Sequence, residues 1–255
     1  PLLILAIALV CTICIPMWHW STDEDGTFPL MFTRERAVRM LLGPEQIACY
    51  CCFVWGLFIL TTRWWEVKRQ RRLFGYDLLP TEEEVRILPE DARPLQRKTE
   101  QLTSRGGPYI LSNMIRGALA KYAISRSGRD VSEAVKNQAD VEMGRLVSTM
   151  STVHFLAWAI PALGFLGTVR GLGMSLAAPA GGAVDVDKAT SHLTFAFDTT
   201  LVALALSLPL MFILHRIQRD EEALVLDCQS YCQDNLIARL YDPEMDPERR
   251  NDPVY

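Results

Sequence analysis

The sequence predicts an all-α membrane protein with four transmembrane helices, in which long third and fourth helices extend into a cytoplasmic helical bundle. Four segments contain almost no charged residue, and densely charged segments separate them: residues 2–17, 47–62, 153–176 and 193–214. The hydrocarbon core of a bilayer is about 30 Å thick, which a helix of roughly 20 apolar residues crosses. Because 22% of all residues are charged and nearly all of them lie outside these runs, the pattern favours spans with water-facing parts over one soluble core.

The first apolar segment has the length of the hydrophobic part of a signal peptide, but two features favour a retained span. It lacks a basic start and a small-residue cleavage site. Trp18 and Trp20 follow it, and tryptophans at this place are typical of an interfacial anchor. Because the chain opens with Pro1 inside this apolar run, we expect further residues ahead of it.

Basic residues predict the orientation of the spans. They follow the second and the fourth span directly: Arg63, Lys68, Arg69, Arg71 and Arg72, then Arg216 and Arg219. The positive-inside rule therefore puts residues 64–148 and the C-terminal tail in the cytoplasm. The predicted organisation is two spans with an extracytoplasmic loop (1–65, loop 17–44), a cytoplasmic helical region (66–148), the third and fourth spans (149–215), and a cytoplasmic C-terminal helix and tail (216–255).

The third and fourth spans are predicted to continue as helices beyond the membrane. Asp130 is a suitable N-cap, with Glu133 at the spacing of a capping box. Neither a proline nor a glycine pair follows before the membrane, so residues 131–176 are predicted to form one helix. Residues 216–240 are also compatible with a helix, and the two extensions would pack as a cytoplasmic bundle.

Small and polar residues inside the third and fourth spans indicate a polar path. A threonine hydroxyl both donates and accepts, so Thr168, Thr199 and Thr200 could solvate a passing ion or order a chain of water. The alternative is that each hydroxyl bonds a carbonyl of its own helix, as threonines in membrane helices often do. Glycines favour close helix packing, and we assign this role to those of the third span: Gly164, Gly167 and Gly171.

Two charged residues and two prolines also lie within these spans. A charge at membrane depth costs at least about 2.5–3.5 kcal/mol and usually pairs or lines a wet cavity. Arg170 and Asp198 reach similar depth on antiparallel helices, so we predict an intramembrane charge pair, within one subunit or between neighbours. The alternative is that Arg170 snorkels to the outer headgroups. Pro161 and Pro209 each remove a helical hydrogen bond and are predicted to kink their helices.

The sequence contains no pattern typical of an enzyme. It has no nucleophile elbow, no phosphate-binding glycine loop and no metal-ligand spacing. Cys228 and Cys232 are four residues apart, but no further Cys or His completes a zinc set, so free thiols are expected rather than a metal site. We expect no cofactor and no nucleic-acid partner.

The string Pro-Ala-Leu-Gly-Phe-Leu-Gly-Thr-Val-Arg-Gly at residues 161–171, followed by the spacing from Thr200 to Pro209, resembles the MotA/TolQ/ExbB proton-channel family, the A subunits of ion-driven membrane motors. The resemblance covers about residues 142–239. Four spans are similar to the flagellar-stator branch. The Leu-Gly-Thr-Val signature and the Thr-to-Pro spacing are similar to the ExbB/TolQ branch.

The resemblance implies a homopentamer around a dimer of single-span B subunits of the MotB/TolR/ExbD type, in the bacterial inner (cytoplasmic) membrane. Thr168 and Thr200 would face an ion-binding Asp of the B subunit, and Pro161 and Pro209 would match the family's prolines. The transported ion would be H⁺, or alternatively Na⁺. The chain departs from ExbB-like relatives at Phe195, where they carry a Glu, and Asp198 could substitute for it one helical turn later.

Two other classes of function stay open at this point. A passive channel or transporter subunit would also contain intramembrane Thr, Arg and Asp, but it would work without a B partner. A structural membrane scaffold predicts that Thr168 and Thr200 tolerate valine, and it leaves the cost of Arg170 and Asp198 unexplained. The sequence does not name the cellular process that such a motor would drive.

Overall fold

The computed structural model describes residues 8, 10, 42–75, 79, 86–103, 107–177 and 186–241. Every regular element among these residues is a helix, and the described part of the chain contains no β-strand. Ile87 and Leu240 form an isolated parallel bridge. The all-α prediction is therefore confirmed for the described residues.

Five α-helices follow one another along the described chain. They are α1 (Pro44–Arg71), α2 (Ala92–Thr103), α3 (Ile110–Ser125), α4 (Gly128–Leu176) and α5 (Val186–Asn235). Short 3₁₀ turns follow α1 and α5, at Arg72–Gly75 and Ile237–Arg239. With 49 and 50 residues, α4 and α5 are each about 75 Å long at 1.5 Å per residue. Both helices continue well beyond the thickness of a bilayer.

Three of these helices, α1, α4 and α5, are long and apolar enough to cross a membrane. They contain the predicted second, third and fourth spans. The predicted first span, at residues 2–17, lies almost wholly outside the described residues. The count of four spans and the cytoplasmic bundle therefore stay predictions.

The chain divides into two compact units, and α1, α4 and α5 contribute residues to both. One unit, which we call the membrane unit, comprises the described residues within Pro1–Arg63 and Met150–Ile217. The second unit comprises those within Trp64–Thr149 and Gln218–Tyr255. The membrane unit holds the apolar runs of all three long helices and all of the predicted site residues.

An apolar core fills the membrane unit where its three helices meet. The buried side chains of this core are Cys49, Leu60, Met150, Val153, Ala157, Ile160, Ala203, Leu210, Leu214 and Ile217. Large apolar side chains also lie on the outside of the unit, such as Trp158 and Phe165 of α4 and Phe197 and Leu208 of α5. An apolar exterior of this kind suits contact with lipid or with neighbouring membrane helices.

The second unit is built around α3, one face of which is fully buried. Tyr122 is the largest side chain of that face, and its hydroxyl lies 3.0 Å from the Ile87 carbonyl oxygen and 2.8 Å from that of Tyr241. The Ile87 N–H donates to the Arg239 carbonyl at 2.8 Å, and the Tyr241 N–H donates to the Ile87 carbonyl at 3.1 Å. Tyr122 therefore holds together two segments that are more than 150 residues apart.

Gln70, near the end of α1, satisfies the backbone at the start of α3. Its Oε1 accepts from the Ile110 N–H at 3.0 Å, and its Nε2 donates to the Pro108 carbonyl at 3.0 Å. The first N–H groups of a helix have no partner within the helix, so a side chain from elsewhere must supply one. Gln70 is buried, which makes this contact part of the second unit's interior.

Cys228 and Cys232 are buried as free thiols in the core of the second unit. Burial disfavours the charged thiolate and raises the pKa of each thiol to about 12. Both side chains therefore stay neutral at physiological pH and pack as small apolar groups.

We predict that Tyr122→Phe lowers the free energy of unfolding of the chain by about 1–2 kcal/mol, because the carbonyls of Ile87 and Tyr241 lose a buried donor. Denaturant unfolding of the purified chain in detergent measures the change. Ser125→Ala is the matched control on the same helix, since it removes only an exposed bond to the Lys121 carbonyl. Equal stability of the two variants would contradict the prediction.

Candidate functional site

The α4 and α5 helices approach closely along three glycines of α4: Gly164, Gly167 and Gly171. At these positions a Cβ atom would lie 2.5 Å from the Cβ of Ala203, 2.9 Å from that of Thr199 and 2.7 Å from that of Ala196, respectively. Such distances are too short for real side chains, so only glycine permits this approach. The spacing of three and four residues puts all three glycines on one face of α4.

Thr199 lies inside the membrane unit and is fully buried. Its hydroxyl donates to the Phe195 carbonyl of its own helix at 2.7 Å and accepts from Gln46 Nε2 of α1 at 3.3 Å. Thr199 thus makes the own-helix bond that was the alternative to an ion-path role, together with a contact to a second helix.

Thr200 differs from Thr199, although it is the next residue. Its hydroxyl donates across the helix pair to the Gly164 carbonyl at 3.2 Å, and the side chain is only half-buried. Thr168 is also half-buried, and its hydroxyl donates to the Phe165 carbonyl of its own helix at 2.6 Å. Among the three predicted ion-path residues, Thr168 and Thr200 therefore leave part of their surface exposed.

Arg170 pairs with Glu45, the second residue of α1, and this corrects the predicted pairing with Asp198 within one chain. Arg170 Nη1 contacts Glu45 Oε1, and the arginine also lies 5.9 Å from the ring centroid of Phe195. The prediction considered only charged residues inside the apolar runs, whereas Glu45 precedes one of them by two positions. Asp198 is buried in the same unit. A pair between adjacent subunits stays a prediction.

Two consecutive residues of the membrane unit each bury a side-chain oxygen that has no hydrogen-bond partner among the described residues, namely Glu45 Oε2 and Gln46 Oε1. Glu45 is 8% exposed and Gln46 is fully buried. Buried polar atoms are nearly always satisfied in folded proteins, so two such oxygens on consecutive residues are unusual. No periodic pattern in the sequence marks these two residues, because both precede the apolar run of α1.

The two prolines lie within the helices that carry the threonines. Pro161 is half-buried in α4, and Pro209 is exposed in α5. Since proline has no N–H, the carbonyls of Ala157 and Ala205 lose their helical partners. Both helices continue through their proline.

Polar groups occupy two opposite sides of α4. Arg170 and Thr168 are two residues apart, which puts their side chains about 200° apart around the helix. Arg170 faces the side on which α1 supplies Glu45, and Thr168 therefore points to the other. Among the described residues, no three His, Cys, Asp or Glu side chains are arranged to hold a metal ion.

Residues 108–230 match the sequence model of the MotA/TolQ/ExbB proton channel family. This match supports the assignment of the chain to that family and covers just under half of its residues. No curated protein and no solved structure gives a significant match. Proteins of the MotA/TolQ/ExbB family are of the channel type rather than enzymes. The matched range includes Thr168, Thr199, Thr200 and both prolines, whereas Glu45 and Gln46 lie before it.

We predict that Gly167→Ala destabilises this MotA/TolQ/ExbB chain by about 1–3 kcal/mol, because its Cβ would overlap Thr199 in a closely packed contact. The control is Gly173→Ala on the same helix, where a Cβ meets nothing within 4 Å. That change should be neutral or stabilising by up to about 1 kcal/mol, since alanine favours helix. Thermal unfolding in detergent distinguishes them, and equal destabilisation would contradict the packing argument.

A double-mutant cycle tests the partner of Arg170. Removing one member of a partly buried ion pair leaves the other unpaired, so Arg170→Ala and Glu45→Ala should each destabilise the chain. The double variant should lose less than the sum of the two losses, by about 1 kcal/mol or more. The same cycle with Asp198→Ala should be closer to additive. A larger coupling energy between Arg170 and Asp198 than between Arg170 and Glu45 would instead support the pair predicted from sequence.

Proposed function

We propose that the chain is the A subunit of a proton-driven rotary motor. Five copies would surround a dimer of single-span B subunits and convert ion flow across the bacterial inner membrane into mechanical work. Membership of the family supports an ion-conducting role in a membrane. The finer statement rests on one observation: the polar groups of the membrane unit end part-way along the α4–α5 pair.

Beyond Thr200, toward the end that the positive-inside rule places in the cytoplasm, the described interior is almost purely apolar. The buried side chains there are Val153, Leu156, Ala157, Ile160, Leu210 and Leu214. Ser207 is buried too, but its hydroxyl donates to the Leu204 carbonyl of its own helix at 3.1 Å. Among the described residues on this side of Thr200, an ion would therefore meet mainly apolar buried side chains inside a single chain.

A second molecule must then carry the ion onward, and a mobile carboxylate is the chemistry that suits this task. Neutralised by the ion, a carboxyl can cross an apolar surface, which it cannot do when charged. The exposed apolar side chains of α4 and α5 supply such a surface, among them Phe165, Val169, Phe197 and Leu201. This argument favours a B subunit with an ion-binding Asp.

The half-buried threonines would meet that carboxylate. The Thr200 hydroxyl donates to the Gly164 carbonyl, and its oxygen keeps lone pairs that can accept from a proton carrier or bind a cation. Thr168 offers the same chemistry from α4. We propose H⁺ as the ion, with Na⁺ as the alternative, because hydroxyl oxygens also serve hard cations.

The competing proposal is a passive ion channel or transporter subunit that works without a B partner. Native mass spectrometry of the chain, solubilised from its own membrane, distinguishes the two. We expect five copies together with a smaller single-span protein. A monomer, dimer or tetramer without such a protein would contradict the motor and favour the channel.

Thr200→Val tests the ion path once the complex is purified. We expect the five-copy assembly to persist, because valine has nearly the same shape as threonine. Proton flux into proteoliposomes under an imposed potential should fall at least about tenfold, since a hydrogen bond to a charged group contributes about 1.5–3 kcal/mol.

Thr194→Val is the matched control for this flux measurement, because the Thr194 hydroxyl bonds the Thr190 carbonyl of its own helix at 3.0 Å. It should conduct like the unaltered protein. Undiminished flux through Thr200→Val would remove this threonine from the ion path.

A further inference from the structure

The start of α1 holds two adjacent side chains that the proposed function does not use. Arg170 contacts one carboxylate oxygen of Glu45. Because Glu45 lies in the first turn of α1, the helix dipole stabilises its carboxylate further. Neither contact involves Oε2, which is buried without a partner among the described residues. The free carboxylate oxygen therefore needs another explanation.

The orientation of the Gln46 amide is fixed by its neighbour. Thr199 uses its only hydroxyl proton toward the Phe195 carbonyl, so its oxygen can only accept from Gln46. The atom that faces Thr199 must be the amide nitrogen, which leaves the amide oxygen free. Gln46, the residue after Glu45, thus presents a buried carbonyl oxygen without a partner in the described part of the chain.

The backbone at Gly43 leaves room for this amide. A Cβ at Gly43 would overlap Gln46 Oε1, would lie 2.8 Å from Gln46 Cδ, and would lie 3.0 Å from Cε2 of Phe195. Any larger residue would push the amide out of its position. Gly43 therefore lies close to both the Gln46 amide and the ring of Phe195.

The polar contacts form a series along α4. Glu45 meets Arg170, the Gln46–Thr199 pair lies against Gly167, and Thr200 meets the carbonyl of Gly164. The α4 residues in this series are Arg170, Gly167 and Gly164. Neighbours in the series are three residues apart, which is about 4.5 Å of helical rise. The series therefore covers about 9 Å and ends at the threonine of the proposed ion path.

We propose that Glu45 and Gln46 form a binding site for a monovalent cation, H⁺ or Na⁺, at the outer end of the membrane unit. The ligands are the free carboxylate oxygen and the free amide oxygen, and Thr199 leads from this site toward Thr200. A proton adds to Glu45 Oε2, or Na⁺ binds both oxygens. Neutralised in this way, Glu45 attracts Arg170 less, and the half-exposed arginine can turn toward the surface. The link to transport rests on the proposed function, but the binding site does not.

Other titratable groups near this level set the background for a pH effect. Among the described residues they are Arg170 on α4, Cys49 on α1, and His192 and Asp198 on α5. A purely structural ion pair between Arg170 and Glu45 predicts no modification of Glu45 that depends on pH. This difference makes the proposal testable.

The experiment uses N,N′-dicyclohexylcarbodiimide, which modifies protonated carboxyls in apolar surroundings, on the full chain in lipid nanodiscs. Peptide mass spectrometry quantifies modification of Glu45 between pH 5 and pH 9. We expect modification that rises as the pH falls. Protection by Na⁺ but not by K⁺ at constant pH would assign the site to Na⁺, and pH dependence without such protection would assign it to H⁺.

Variants fix the position of the site and the part played by Gln46. Glu45→Gln should abolish the pH-dependent label, whereas Glu66→Gln, which removes another Arg-paired carboxylate of α1, should leave it. Gln46→Leu should shift the pH or Na⁺ dependence about tenfold, as expected for the loss of one oxygen ligand. An unshifted Gln46→Leu profile would remove Gln46 from the site.

Glu45 that stays unmodified over the whole pH range would overturn the proposal and leave a structural ion pair. The labelling needs no B subunit, so its outcome is independent of the motor. Modified Glu45 in a chain that forms no five-copy complex would keep the site and reject the motor. A five-copy complex in which Glu45 stays unmodified would keep the motor and reject the binding site.

Discussion

The close approach of α4 and α5 along Gly164, Gly167 and Gly171 is the constraint on which the rest of the membrane unit depends. Without a Cβ at these positions the α4 backbone comes within hydrogen-bond reach of α5, and the Thr200 hydroxyl can bond the Gly164 carbonyl directly. In lipid no hydrophobic effect drives two helices together, so close van der Waals contact and interhelical hydrogen bonds must hold the pair together. The contact between Gly164 and Thr200 thus holds the two helices together and also places a half-exposed hydroxyl at the edge of the pair.

The helix α1 supplies the side chain that neutralises the charge of Arg170, because the closely packed pair of α4 and α5 leaves no room for it between them. Arg170 lies on the flank of α4 rather than on its glycine face, and the group of α5 described near it is the uncharged ring of Phe195. Glu45 meets it from α1, and Gln46 reaches the buried Thr199. A charge at membrane depth costs several kcal/mol when unpaired, so the α1 contact stabilises α4 as well as orienting it.

Apolar runs and composition predicted the all-α class and the three described helices that are long and apolar enough to cross a membrane, because these follow from the length and polarity of single segments. The run at residues 2–17 lies almost wholly outside the described part of the chain. The partner of Arg170 was missed because periodicity relates residues of one helix and does not say which helices meet. Thr199 and Thr200 show the same limit. Adjacent residues differ by about 100° around a helix, so one is buried and the other half-exposed, and sequence does not indicate which face turns inward.

The division of the membrane unit into a polar outer part and an apolar inner part also bears on leakage. A membrane potential supplies about 2.3 kcal/mol per elementary charge per 100 mV. Placing a charged side chain in an apolar interior without a polar partner costs at least about 2.5–3.5 kcal/mol, and a free ion costs more. The potential alone is therefore too small to drive ions past Val153, Ile160 and Leu210. On the proposed function, such a subunit would stay closed until a carrier group reached Thr200, so that ion transport and movement of the carrier would be one event.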